Sequence, residues 1–224
     1  TILNKMWGSY EDKFAQVRNL YAYQFAHPGK KLNFMGNELG SFDEWNENKS
    51  IPWELKKFPK HDSVSRLFRD LNLIYQNHKA MYFEEYNQAH FQWIMADNAE
   101  QSVLVFKREV PGETMIFVFN MTPRFYSEYD IGVPYEGEYE EILNTDKDVY
   151  GGWNQYNGAN IFTHGSGLQN QPYRITIKLA SFAGIFLRYI PKIKEEEKPV
   201  IEQKAEPIKQ ASAKKTTRKR ASKK

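Results

Sequence analysis

"KKLNFMGNELGSFDEWN", residues 30–46, decides how this chain is read. Within a few positions an apolar run, Leu32 to Met35 interrupted only by Asn33, gives way to Gly36, Asn37 and Glu38 and then to Asp43, Glu44 and Trp45. A short apolar run between turn signals is the pattern of a strand buried on both faces of a parallel sheet. In β/α sheets and barrels, ligand and catalytic groups gather at the carboxyl ends of the strands, where the chain leaves the packed interior. Asn37 and Glu38 stand at such an end, and Gly36 lets the backbone turn there and a ligand come close. The loop beyond adds Trp45 and Trp53 as faces for a sugar ring, with Asp43 and Glu44 as acceptors for its hydroxyls. Pattern alone leaves a second reading open, in which Glu38 caps or pairs with a neighbouring loop and the tryptophans pack that loop to the scaffold.

Outward from this stretch, Tyr10 to Ala26 places Phe14, Val17, Tyr21 and Phe25 at helical spacing, with Glu11 and Asp12 near the start, where the helix dipole favours anions. Pro28 and Gly29 end it. A loop with Gly40, Ser41, Asn46, Asn48 and Pro52 follows the apolar run. A second helix is then expected from about Ser63 to Asn77, with Val64, Leu67, Phe68, Leu71 and Ile74 on one stripe. Helix, strand, loop, helix is the order of repeated β/α units.

After His78 the texture changes. "FQWIMAD", "SVLVFKREV", "TMIFVFNMT", "YEEILNT", "YRITIKL" and "SFAGIFLRYI" are strand-length runs rich in β-branched and aromatic residues, punctuated by Gly, Pro and Asn. They predict an all-β module, an antiparallel two-sheet sandwich over residues 80–191, with a boundary near Lys79 to Tyr86. "YGGWNQYNGAN", residues 150–160, reads as a long hairpin-like loop, with an oligosaccharide surface as its functional alternative.

Bulk properties narrow the classes. The 224-residue chain has no cysteine, which excludes a disulfide framework and thiolate metal sites and fits a reducing compartment. Nothing approaches the roughly 18 uninterrupted apolar residues of a membrane span, and residues 1–30 lack the pattern of a signal peptide. A cytoplasmic protein with no membrane contact is expected. Because a helix-like pattern begins almost at Thr1, the chain reads as a piece of something longer. The net charge of +3 hides a division: Lys192 to Lys224 carries 12 Lys and Arg against 5 Glu, leaving 19 against 23 in the body. That tail has no aromatic and few bulky apolar residues, so it is expected to be disordered. It is either a solvated extension or, through Lys214 to Lys224, an arm for nucleic acid or another polyanion. His27, His61, His78, His90 and His164 never fall in a ligand spacing, so neither a metal site nor a cofactor is expected.

"GKKLNFMGNELGSFDEWN", "SIPWEL", "RDLNLIYQNHKAM", "EILNTD" and "ILNKMWGSYEDKFAQVRNLYAY" resemble, in order from Ile2 to about Ile190, the C-terminal part of bacterial 1,4-alpha-glucan branching enzymes of the alpha-amylase family. The resemblance implies a (β/α)8 barrel followed by a β-sandwich, with residues 1–79 supplying only the last helix, strand and helix of the barrel. It implies cleavage of an alpha-1,4 link and transfer of the freed segment to a 6-hydroxyl, with glycogen or amylose-like chains as partner. Retaining chemistry of this kind uses two carboxyl groups about 5 Å apart. In the family these lie on earlier strands, and a further aspartate falls just upstream of the position matching Thr1, so no residue here inherits a catalytic role. Asn37 and Glu38 match the motif of the eighth strand as substrate-binding residues, joined by Trp45.

Two function classes therefore stand. One is the C-terminal part of a branching enzyme, inactive without the rest of its barrel. The other is a noncatalytic glucan-binding or scaffold module tethered through its basic tail.

Overall fold

In the computed structural model, residues 1–158 and 160–191 are described. The expectations for the tail, residues 192–224, lie outside them. Among the described residues eight strands form two antiparallel sheets: β1 Phe91–Met95, β2 Val103–Val110, β3 Glu113–Asn120, β4 Tyr126–Val133, β5 Glu138–Asn144, β6 Ile161–Phe162, β7 Tyr173–Leu179 and β8 Gly184–Ile190. Six of them form one sheet in the order β1-β2-β3-β8-β5-β6, and β4 pairs with β7 in the other. β3 sits inside the larger sheet, in register with β2 through Phe106↔Phe117 and with β8 through Phe117↔Phe186. It is buried on both faces, which is why its sequence is nearly continuous in apolar residues rather than alternating.

The two faces of the six-stranded sheet serve different layers. Val105, Ile116, Val118, Ile185 and Leu187 pack toward Ile131, Val133, Ile175, Ile177 and Leu179 of the two-stranded sheet, closing the expected sandwich. Phe106, Phe117, Phe119 and Phe186 point the other way and pack with helical residues. β4 escapes a sequence reading because Ser127, Glu128 and Asp130 interrupt its apolar face with exposed or half-exposed polar groups. β6 is too short to be seen.

The helices are α1 Ile2–Lys5, α2 Tyr10–Ala26 and α3 Pro59–Asn77. α2 starts with a capping box in which the Ser9 hydroxyl accepts from the Asp12 amide at 3.2 Å and the Asp12 carboxylate accepts from the Ser9 amide at 2.9 Å. α3 begins four residues before the expected Ser63, because Pro59 already has the backbone angle of a first helical residue and no amide to satisfy. Phe14, Val17, Tyr21 and Phe25 of α2 and Val64, Leu67, Phe68 and Leu71 of α3 are buried in the same core as the phenylalanines of the sheet. Polar ties cross that interface: Arg18 Nε donates to the Thr145 carbonyl at 2.9 Å, Asn19 Nδ2 to the Asn120 carbonyl at 2.8 Å and Arg108 to the Ala26 carbonyl at 3.2 Å.

The strand expected at Leu32 to Met35 is not formed. The segment belongs to neither sheet, and Leu32, Phe34 and Met35 are 81%, 54% and 49% exposed. A strand is made by its neighbours' amides and carbonyls and buried by the layers on either side. Among the described residues no strand pairs with this run and no layer covers it; the Leu32 carbonyl accepts from the Gln24 side chain and the Phe34 carbonyl from the Asn37 amide, the bonds of a loop and a turn rather than of a ladder.

Candidate functional site

The chain leaves Leu32 to Met35 through Gly36, whose φ of 85° is the left-handed conformation that suits glycine. One 3-10 turn, Asn37–Leu39, follows and ends at Gly40, again left-handed with φ 58°. The turn is pinned from both helices. The Tyr21 hydroxyl of α2 donates to the Asn37 carbonyl at 3.1 Å, and the buried His61 of α3 places Nδ1 2.8 Å from the Leu39 carbonyl. Leu39 is fully buried beneath, and the His61 ring meets Phe14 edge-on at 5.0 Å. Two helices therefore fix the backbone of a turn that buries Leu39 and leaves the Asn37 and Glu38 side chains partly exposed.

The predicted residues separate around this turn. Asn37 lines a hollow of about 390 Å³ together with Phe34, Gly36, Asp43, Glu44 and Trp45. Trp45 is half exposed and meets Phe34 edge to face at 5.4 Å. Glu38 faces a second hollow of about 280 Å³, with Gln24, Lys31, Asn33 and Asn72. Its carboxylate accepts from Asn33 Nδ2 at 2.8 Å. Burial pushes the Tyr21 hydroxyl well above its ordinary pKa, and the nearby negative charge of Glu38 adds to the effect, so Tyr21 stays a neutral donor. Asn37 and Trp45 thus share one hollow, while Glu38 orients the segment that precedes the turn. Trp53, 57% exposed in its own short turn, does not line either hollow. An aromatic edge and face, an amide and two carboxylates around one hollow make a surface for a neutral polyol. Among the described residues, no group of three His, Asp or Glu side chains converges to hold a metal.

Sequence reasoning missed Asp146, which organises the loop that follows β5. Asp146 is 2% exposed and accepts from the backbone amides of Trp153 at 3.1 Å and Gln155 at 3.0 Å. Burial raises its carboxyl pKa; the two amides, Arg18 and Lys60 pull it back without cancelling the rise. The signal was present in "NTD" ahead of a glycine pair, yet an aspartate in a turn sequence reads as a solvated side chain until the loop is seen to fold over it.

Residues 93–190 match the family model described as the alpha amylase C-terminal all-beta domain. Over 208 residues the chain is 44% identical to a 1,4-alpha-glucan branching enzyme, GlgB 1, of Clostridium perfringens, covering 91% of this chain and 31% of that enzyme. It is 39% identical over 194 residues to the 1,4-alpha-glucan branching enzyme GlgB of Bacillus subtilis, covering 86% of this chain and 31% of the relative. The chain thus spans about a third of the length of the curated relatives it matches. Among solved structures, AmyP in complex with maltotriose shares the fold, with a TM-score of 0.57 at 13% identity, over 79% of this chain and 35% of that one.

Proposed function

We propose that this chain, a relative of the 1,4-alpha-glucan branching enzymes carrying an alpha-amylase C-terminal all-beta domain, works as the C-terminal part of such an enzyme. The observation that carries the reading is the run Leu32 to Met35: a strand-like apolar sequence left in water between two well-formed helices, directly before the turn that bears Asn37. A row of apolar side chains and unpaired amides is stable once further strands of a barrel lie beside it. Residues 1–79 are then the last helix, strand and helix of a (β/α)8 barrel, and residues 80–191 the β-sandwich behind it.

The parent enzyme cleaves an alpha-1,4 link and moves the freed glucan to a 6-hydroxyl, making a branch. Its nucleophile and its acid/base, two carboxyl groups about 5 Å apart, come from barrel strands outside this chain. Asn37 and Trp45 hold a glucosyl unit at the rim, the indole against the ring and the amide on a hydroxyl. Glu38, through Asn33, sets the path of the strand that delivers them. Maltotriose bound to a protein of the same fold supports an alpha-glucan as the partner. The likeness to branching enzymes covers the helical part as well as the β domain, which favours this reading over a noncatalytic module. The same reading places the protein in the cytoplasm.

Iodine staining of amylose tests it. The 224-residue chain alone should leave the stain unchanged, and the same chain joined to its upstream coding sequence should shift it as branches form. A continuous upstream frame that lacks barrel strands, or a longer protein that leaves amylose unbranched, would end the proposal.

A further inference from the structure

The loop after β5 displays the most exposed tryptophan of the described residues: Trp153 is 74% exposed, and its indole makes no ring contact among them. A lone exposed hydrophobic side chain is common on protein surfaces, so its meaning turns on whether its loop is free to fold it away. This loop is not free. Asp146 holds the amides of Trp153 and Gln155 with its carboxylate and the amide of Asn154 with its carbonyl at 2.7 Å. Gly151 and Asn154 take left-handed φ values of 78° and 64°, and a Cβ on Gly152 would stand 2.2 Å from the Asp146 carbonyl oxygen. Lys60 of α3 donates to the Gly151 carbonyl at 2.8 Å and Arg66 to the Val149 carbonyl at 2.9 Å. The backbone is clamped from beneath and from the side, leaving the indole outward. Tyr156, 41% exposed, follows on the same loop, with the Lys147 ammonium 5.5 Å from its ring centre.

The clamp also fixes where the indole sits. Lys60 and Ser63, which meet this loop, flank His61, which holds the Asn37–Leu39 turn. Both features are thus tied to the first turn of α3, the end at which a β/α barrel opens its active site.

We infer that Trp153 is a preformed platform for an alpha-glucan chain, a second contact on the β domain at the same end of α3 as the Asn37 rim. An aromatic face fixed before binding takes the C–H face of a glucosyl ring without the entropic cost of ordering a loop. This rests on the branching-enzyme reading for the identity of the sugar and for the barrel end at which the platform lies; the rigid display of the indole stands without it.

Native-gel electrophoresis of the 224-residue chain with glycogen in the gel provides the test. Glycogen should retard the chain, Trp153→Ala should weaken retention about tenfold, Trp153→Phe should keep most of it, and Trp7→Ala, at an equally exposed indole, should leave it unchanged. A second readout needs no disruptive variant: in a 1H–15N spectrum of the unmodified chain, maltoheptaose should shift the Trp153 indole resonance, assigned by its absence from Trp153→Phe. No retention of the chain, equal retention of Trp153→Ala, or an unmoved Trp153 resonance would overturn the inference. Its failure is separable from that of the enzyme reading, which the iodine assay on the unmodified longer protein decides independently of Trp153.

Discussion

His78 Nδ1 at the end of α3 lies 2.6 Å from Glu113 Oε1 at the start of β3, and the other oxygen of that carboxylate accepts from the Ala80 amide at 2.8 Å. One glutamate thereby ties the last helix to the central strand of the larger sheet. Burial pushes its carboxyl pKa up, but the bonds from His78 and Ala80 outweigh that, and it lies below the ordinary value of 4.5. Because the folded state holds the charged form more tightly than the unfolded chain does, the contribution is complete above 4.5 and disappears as the pH falls below that value through the lowered pKa. Glu113→Gln is expected to cost about 2 kcal/mol at neutral pH and to flatten the acid limb of stability. Denaturant melts of both proteins from neutral pH down to about pH 3 read this directly; parallel acid limbs would contradict it.

Phe117 meets Phe186 edge-on at 4.9 Å and stacks with Phe106 at 5.2 Å on the face that receives the helices. Phe117→Ala should cost about 3–5 kcal/mol. The helical and sheet signals in circular dichroism should be lost together, since both layers share that core. Two separated transitions would mean that residues 1–79 and 80–191 fold independently.

Leu32 and Phe34 leave a sticky edge on the isolated chain. Leu32→Lys with Phe34→Lys should raise the proportion of monomer in sedimentation velocity. In the longer protein the same pair should abolish soluble expression, because in the proposed barrel these side chains enter its wall. Unchanged sedimentation together with normal expression would remove the strand from the barrel.

On the proposed function, Asn37→Ala and Trp45→Ala in the longer protein should each raise the KM for amylose about tenfold, since both line one hollow. Glu38→Gln should act mainly on stability, as its carboxylate is bound to Asn33. Steady-state rates and thermal melts of the three variants separate the roles.

α2 and α3 were legible because their signals are local. Phe14, Val17, Tyr21 and Phe25 recur at one face, and Pro28 with Gly29 stops α2 where the structure stops it. α3 was legible for the same reason, apart from a start that Pro59 moves upstream; α1 was too short to be read as an element of its own. Most strands announced themselves through unbroken or alternating apolar residues, and β4 was missed where polar residues fill the side that faces water.

The amino-acid order by itself determined the two helices, most of the strands, the family likeness and the glycine-punctuated turn that carries Asn37, since propensity, periodicity and turn chemistry act over a few residues. Only the tertiary structure decided that Asn37 and Trp45 face one hollow while Glu38 faces another, that a buried Asp146 presents Trp153, and that Leu32 to Met35 stays unpaired. Those outcomes depend on which distant groups come to lie beside a residue, and hydrogen-bond partners and burial are properties of that neighbourhood rather than of the residue's own type.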